Sequence, residues 1–189
     1  MTRDDAWNFV CEYVQSDSLR KHMLAVEAAM RHYAPKYGGD VELWGVTGLV
    51  HDFDYERWPD PPQHTREGAR ILRERGVDEE IVGAMLSHAP WNQDEYPLDR
   101  PLRKVLFACD ELCGFITACA RVRPTRLEGM NVSGVKKKLR TSIFAANVSR
   151  DDVHRGAELL EMPLDDHIVQ CIMALQAVAG PLGLTAGPV

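Results

Sequence analysis

Apolar residues recur along most of the chain at spacings of three and four, the pattern of helices that bury one face. A clear case is the stripe formed by Leu43, Val46, Val50 and Phe53. The same pattern predicts further helices over residues 4–16, 18–33, 64–75, 77–89, 102–122, 150–160 and 164–178. Three prolines within 57–63 break any helix there, so we predict a loop, which is placed to form the rim of a site. The pattern favours an all-α fold, a compact helical bundle of about seven to nine helices.

Length and composition predict the number of domains and the cellular compartment. A chain of 189 residues with 45% apolar and 26% charged residues favours one domain, which we place at residues 1–180, with a flexible tail at 181–189. The five cysteines form no CxxC pair, so we interpret them as reduced thiols of a cytoplasmic protein. No apolar run is long enough to span a bilayer, and the N-terminus lacks the apolar core of a signal peptide.

The net charge of −6 argues against general nucleic-acid binding, so neither nucleic acid nor a membrane is expected as a partner. The sequence makes no prediction of the oligomeric state.

Several ionisable side chains occupy or end apolar helical faces, where an unpaired charge is costly. They are His22, His51, Asp52, His64, His88 and Asp110, from five separate segments. One inward histidine is usually a hydrogen-bonded core residue, but four imidazoles with two carboxylates are hard to explain independently. We therefore predict a metal site built from facing helices. Nitrogen and oxygen ligands suit one or two divalent ions of iron, manganese, zinc, nickel or magnesium.

Other charged residues are weaker candidates. Asp54 could transfer a proton or orient a ligand, although a salt bridge with Arg57 or a helix-end cap explains it equally well. The basic segment, residues 121–140, holds a single acid among many cations, and it is either a solvated face or an anion site. The candidate phosphate-binding residues are Arg20, Lys21, Arg121, Arg123, Lys136, Lys137 and Lys138. His154 and His167 are assigned no role.

The ordered set His22, His51-Asp52 and Asp110 resembles the HD-domain superfamily of metal-dependent phosphohydrolases. In that family a histidine, a His-Asp doublet and a distant aspartate hold a metal, and members with two metals add two histidines between doublet and aspartate. His64 and His88 lie there. The segments Gly48–Asp52 and His64–Ala69 are also similar to those of a bacterial HD subgroup, and the resemblance covers roughly residues 18–120.

The resemblance implies an HD-type helical fold and a hydrolase that uses metal-activated water on a phosphate ester or anhydride. Asp52 and Asp54 are the catalytic candidates, and a nucleotide or another small phosphorylated metabolite is the expected substrate. The Gly-Tyr-Pro of cyclic-dinucleotide phosphodiesterases is replaced by Phe53-Asp54-Tyr55, and the extended motifs of the deoxynucleotide triphosphohydrolase and alarmone branches are absent. Two alternatives remain open: a metal-bearing nucleotide sensor without turnover, and a di-iron oxygenase of HD type.

Overall fold

The computed structural model describes residues 1–187. Its helices are α1 (Arg3–Tyr13), α2 (Asp17–Tyr33), α3 (Val41–Val50), α4 (Gln63–Glu74), α5 (Glu79–His88), α6 (Pro101–Arg121), α7 (Val132–Leu139), α8 (Arg150–Leu159), α9 (Leu164–Ala177) and the short α10 (Ala179–Leu182). Two 3-10 turns, Ala34–Tyr37 and Pro90–Asn92, complete the regular structure of this part of the chain. The predicted all-α class is confirmed, with nine helices of at least eight residues in the described range.

Polar side chains placed just before the helices determine where several of them begin. Ser16 accepts a hydrogen bond from the backbone N–H of Leu19 at the start of α2. The Asp40 carboxylate caps α3, and the Ser149 hydroxyl caps α8. Each cap satisfies a backbone N–H that has no partner within its own helix. The local sequence therefore sets the boundaries of these helices.

The buried side chains form two clusters, and the metal-site candidates lie where the clusters meet. The first cluster joins α1, α3, α4 and α5 through residues such as Phe53 and Leu72. The second joins α2 to α6 and to the C-terminal helices through residues such as Met30 and Phe115. Helix α2 contributes to both clusters, with Met23 in the first and Met30 in the second.

A glycine brings the two clusters together at the site. A Cβ on Gly48 would lie 2.9 Å from backbone atoms of Val26 and Glu27, so only glycine lets α3 pack this closely on α2. The neighbour that requires a glycine at this position is therefore the backbone of another helix. It places His51, at the end of α3, beside His22 of α2, with their ring centroids 5.3 Å apart.

The packed structure extends beyond residue 181, where the sequence predicted the start of a flexible tail. Leu182 and Leu184 are buried, and the backbone N–H of Leu127 donates to the carbonyl of Leu184 at 3.3 Å. The last two residues of the predicted tail lie outside the described residues. Among the helices described, each is too short or too polar to cross a lipid bilayer.

Candidate metal centre

All six predicted metal-binding side chains come together at one place. They form two groups that share Asp52, the first with His22, His51 and Asp110, the second with His64 and His88, and in each group the candidate ligand atoms lie within 4.8 Å of one another. Five helices contribute to this point, so no single helix could form the site alone.

The first group is centred on the Asp110 carboxylate of α6. Its Oδ1 lies 2.9 Å from His22 Nε2 and 3.4 Å from His51 Nε2. Asp52 Oδ2 is 3.7 Å from His51 Nε2 and 3.9 Å from His22 Nε2. The partner that a carboxylate at position 110 requires is therefore this pair of imidazoles.

The second group faces the other oxygen of Asp52. Asp52 Oδ1 lies 3.4 Å from His64 Nε2 and 3.4 Å from His88 Nε2. The carboxylate thus presents one oxygen to each pair of histidines. This arrangement is suited to bridging two cations.

Hydrogen bonds at Nδ1 determine which ring nitrogen of the histidines is available. His51 Nδ1 donates to the carbonyl of Gly48 at 2.8 Å, and His88 Nδ1 donates to the carbonyl of Met85 at 2.6 Å. A carbonyl only accepts, so the proton is on Nδ1 and Nε2 faces the site.

His51 Nε2 is buried and, within the part of the chain that the structure describes, makes no hydrogen bond, although Asp110 Oδ1 lies 3.4 Å away. Leaving such an atom unsatisfied costs about 1–3 kcal/mol. A metal ion would satisfy it, so the residues present fit the group that the donor set implies.

Asp54 orients His64 and does not line the cavity that opens beside these ligands. Its buried carboxylate accepts from His64 Nδ1 at 3.0 Å, from the backbone N–H of Thr65 at 2.8 Å and from that of Gly68 at 2.9 Å. The alternative of a salt bridge with Arg57 is wrong, because that guanidinium donates to the carbonyls of Tyr13 and Glu12. Of the roles considered for Asp54, the geometry supports orientation of a ligand and a cap on the first turn of α4, and it gives no support to proton transfer.

The backbone around His64 departs from the helix predicted to begin there. Thr65 has φ 69°, in the left-handed region that β-branched residues rarely adopt. The conformation is supported by Asn92, whose side-chain amide donates to Thr65 Oγ1 at 2.8 Å. Strain of this kind costs about 1–3 kcal/mol and persists where the surroundings hold it. No local sequence pattern indicated this turn.

The opposite charges of the site shift each other's protonation equilibria. Burial by itself would lower the pKa of His51, but the Asp52 and Asp110 carboxylates outweigh it and raise the pKa to about 9. In turn, His51 holds the pKa of Asp52 and of Asp110 below the ordinary range of an aspartate, against the effect of burial. Without metal, a proton on the His51 imidazole therefore helps to balance the two carboxylates.

A cavity of about 370 Å³ opens above the metal-site candidates, and we call it the metal cavity. Its aromatic rim consists of Tyr55, 45% exposed, and Trp91, 42% exposed. Their ring centroids lie 5.1 and 5.9 Å from that of His64. The predicted rim loop, 57–63, supplies none of the residues that line this cavity. Sequence reasoning missed Trp91, although an aromatic residue directly after His88-Ala-Pro was the available signal.

Glu111, the residue after Asp110, also lines the metal cavity and was missed. Its Oε2 accepts a hydrogen bond from the backbone N–H of Ser149 at 3.2 Å, which fixes it beside the start of α8. Burial and the neighbouring Asp110 carboxylate raise the pKa of Glu111 to about 7. An inward carboxyl next to a predicted ligand could have been suspected, but helical spacing did not place it on the apolar face.

The predicted phosphate-binding residues lie outside the metal cavity. Arg20 donates to backbone carbonyls of Val14 and Cys11, and Lys21 pairs with Asp17 at 2.8 Å. Arg123 donates to carbonyls of its own loop. Lys136 pairs with Asp165 and, with Lys137, lines a separate cavity, whereas Lys138 lies over the Phe144 ring. The geometry therefore gives no support to a substrate phosphate contact by these six residues. Arg121 differs from them, because it lines a cavity next to the metal cavity.

An all-α fold with four histidines and two aspartates gathered beside one cavity defines a helical protein whose site can hold divalent metal ions. The family model of the HD domain matches residues 19–113, just over half of the chain, and the chain belongs to that family. HD domains define a superfamily of metal-dependent phosphohydrolases. No curated protein and no solved structure matches the chain significantly.

Proposed function

We propose that this protein is a metal-dependent phosphohydrolase that cleaves a phosphate ester or anhydride of a small metabolite. One observation carries the proposal: Nε2 atoms of four histidines and both oxygens of Asp52 converge beside a cavity of about 370 Å³. Such a site offers room for a small phosphorylated molecule next to two potential cations.

The donor set determines what could bind. His22, His51, Asp52 and Asp110 would hold one ion, and His64 and His88 would hold a second with the other oxygen of Asp52. These nitrogen and oxygen donors suit iron, manganese, zinc or nickel. Bound there, a divalent ion supplies a water of lowered pKa and stabilises negative charge on phosphoryl oxygens.

We assign proton transfer in the cavity to Glu111. It lines the metal cavity, whereas Asp54 is fully buried behind His64. General acid–base catalysis requires a group within reach of the reacting atoms, and contributes typically about 10²–10⁴-fold in rate. Glu111→Gln should therefore lower kcat by about that factor while metal content stays unchanged. Loss of metal in this variant would contradict the assignment.

The aromatic rim supports a nucleotide among the possible metabolites. Tyr55 and Trp91 present exposed rings at the mouth of the metal cavity. Planar bases stack on such rings, and each contact of this kind contributes about 1–3 kcal/mol. Tyr55→Ala and Trp91→Ala should raise KM for nucleotides more than for simple alkyl phosphates.

The test is metal analysis of the purified protein together with a turnover panel of phosphate esters and anhydrides. We expect metal-dependent phosphate release that is lost in Asp52→Ala and kept in His154→Ala, which removes an exposed histidine outside the cavity. Metal-loaded protein that binds nucleotides without turnover would instead indicate a sensor. Oxygen consumption by an iron-loaded sample without phosphate release would indicate an oxygenase.

A further inference from the structure

A second cavity of about 370 Å³ lies beside the metal cavity, and the two share His22 and Gly114. It follows one face of α6 past Thr117 and Ala118 to Arg121. Its far end therefore lies about 10 Å along the helix axis from Gly114, at about 1.5 Å per residue. We call this cavity the Arg121 groove.

Gly114 keeps the junction of the two cavities open. Glycine in the interior of a helix is destabilising relative to alanine, so it usually has a packing reason. At Gly156 that reason exists, because a Cβ would lie 2.7 Å from Ala108 Cα. At Gly114 a Cβ would lie no closer than 3.7 Å to its nearest neighbour, His22 Nδ1, an ordinary contact. Packing thus permits a methyl group at 114, which would occupy space in the groove.

The wall opposite α6 is a loop held rigidly by one guanidinium. Phe144 and Ala145 of this loop line the groove. Arg150 donates to the carbonyls of Ala145 at 2.6 Å, of Val148 at 2.7 Å and also of Phe144. Backbone carbonyls bound in this way fix the loop, so the groove is formed before any ligand arrives.

Two polar side chains that line the groove lack a strong partner within the described part of the protein. Arg121 is exposed, and its guanidinium makes a long hydrogen bond of 3.4 Å to the hydroxyl of Ser18. Within residues 1–187 no carboxylate forms an ion pair with it, unlike Lys21 and Lys136. Thr117 Oγ1 is buried and has no hydrogen-bond partner in the same range. A buried hydroxyl without a partner is uncommon in a folded protein.

We propose that the Arg121 groove binds a second anionic group, a phosphate or a carboxylate, of an elongated substrate whose reacting phosphate is held at the metal centre. The inference rests on the proposed function for the position of that phosphate. Arginine binds such oxyanions through paired hydrogen bonds. The small side chains of Thr117 and Ala118 between the two ends leave space for a linker.

The experiment measures binding and not turnover, so it can fail separately from the proposed hydrolysis. Calorimetry on the metal-loaded protein compares α,ω-alkane bisphosphonates of increasing length with alkyl monophosphonates of the same lengths, none of which can be hydrolysed. At one length the bisphosphonate should bind roughly tenfold more tightly, as expected for a hydrogen-bonded charge pair. Arg121→Ala should abolish that preference. Lys137→Ala, which removes one positive charge outside the groove, should keep it.

Gly114→Ala supplies an independent check that does not alter charge. It should reduce the preference for the bisphosphonate, with metal content unchanged and a melting temperature at least equal to that of the wild type. The proposal is overturned if no bisphosphonate binds more tightly than its monophosphonate, if Arg121→Ala keeps the preference, or if Lys137→Ala weakens it equally. Preference without any phosphatase activity would support the groove and contradict the proposed function.

Discussion

The two halves of the metal centre are supported in different ways. His22 and Asp110 of the first group stand on regular helices, and their carboxylate–imidazole contact of 2.9 Å joins α2 directly to α6. His64 of the second group depends on a buried carboxylate and on a left-handed residue, Thr65. The first half is thus a product of helix packing, whereas the second is a product of a hydrogen-bond network. We expect the second half to lose its metal more easily.

Asp52→Ala should have the largest effect, because it removes the one residue shared by both halves. Both ions should be lost and hydrolysis should fall to background, while the circular dichroism of the helices is retained. Elemental analysis and turnover measure the two effects. Retention of two equivalents of metal would show that the halves are independent of Asp52.

Replacing one histidine on each side separates the halves. His88→Ala should lower bound metal from two equivalents toward one, and leave the first group intact. His51→Ala should cause a larger loss of activity, because its Nε2 is fully enclosed in the first group. Metal content and kcat of the two variants form a matched pair. Equal losses of metal and activity in both variants would show that the two halves of the metal centre are not different.

Asp54→Asn tests the network behind the second half and should act more weakly. Substituting a partner that orients a ligand typically costs about 10–100-fold in metal affinity. The second ion should therefore dissociate more readily while the first keeps its affinity. Competition with a chelator gives both constants. Asp99→Asn, an exposed aspartate paired with Arg100, is the control and should change neither.

The smallest expected effect is on the pH dependence of stability. Stability should fall with rising pH in the metal-free protein and rise with pH in the metal-loaded protein. In metal-free protein the pKa of His51 is raised from 6.5 to about 9, so its proton stabilises the fold below pH 6.5, and this stability is lost as the pH rises through about 9. Metal requires the unprotonated imidazole, so the metal-loaded protein gains stability over the same range. Urea midpoints with and without chelator should move in opposite directions. Parallel trends would show that protons and metal do not compete at His51.

The contacts of the cations in the basic segment could not be predicted from the sequence. A buried imidazole has few possible partners, so its place on a helical face was informative. A long exposed side chain has many possible partners. Lys136 forms an ion pair with Asp165, whereas Arg123 donates hydrogen bonds to carbonyls of its own loop. Charge along the chain could not distinguish these residues from Arg121, which borders a groove.

His167, to which the sequence assigned no role, is fully buried. It lies 2.6 Å from the Tyr33 hydroxyl and 3.0 Å from the Ala108 carbonyl, and so connects α9 to α2 and α6. Its partners are 134 and 59 residues away in the chain, beyond the reach of any local pattern. Thr65 escaped prediction for a related reason, because the group that supports its φ comes from Asn92.

The periodic pattern predicted the helices other than α7 and α10 and all six candidate ligands, because burial leaves a periodic pattern and a buried charge needs a compensating partner. The packing of the helices placed one oxygen of Asp52 toward each pair of histidines and placed Asp54 behind His64. It also decided which cation borders a groove. Those outcomes depend on distances between atoms on different helices, which are fixed when the helices pack and not by spacing along the chain.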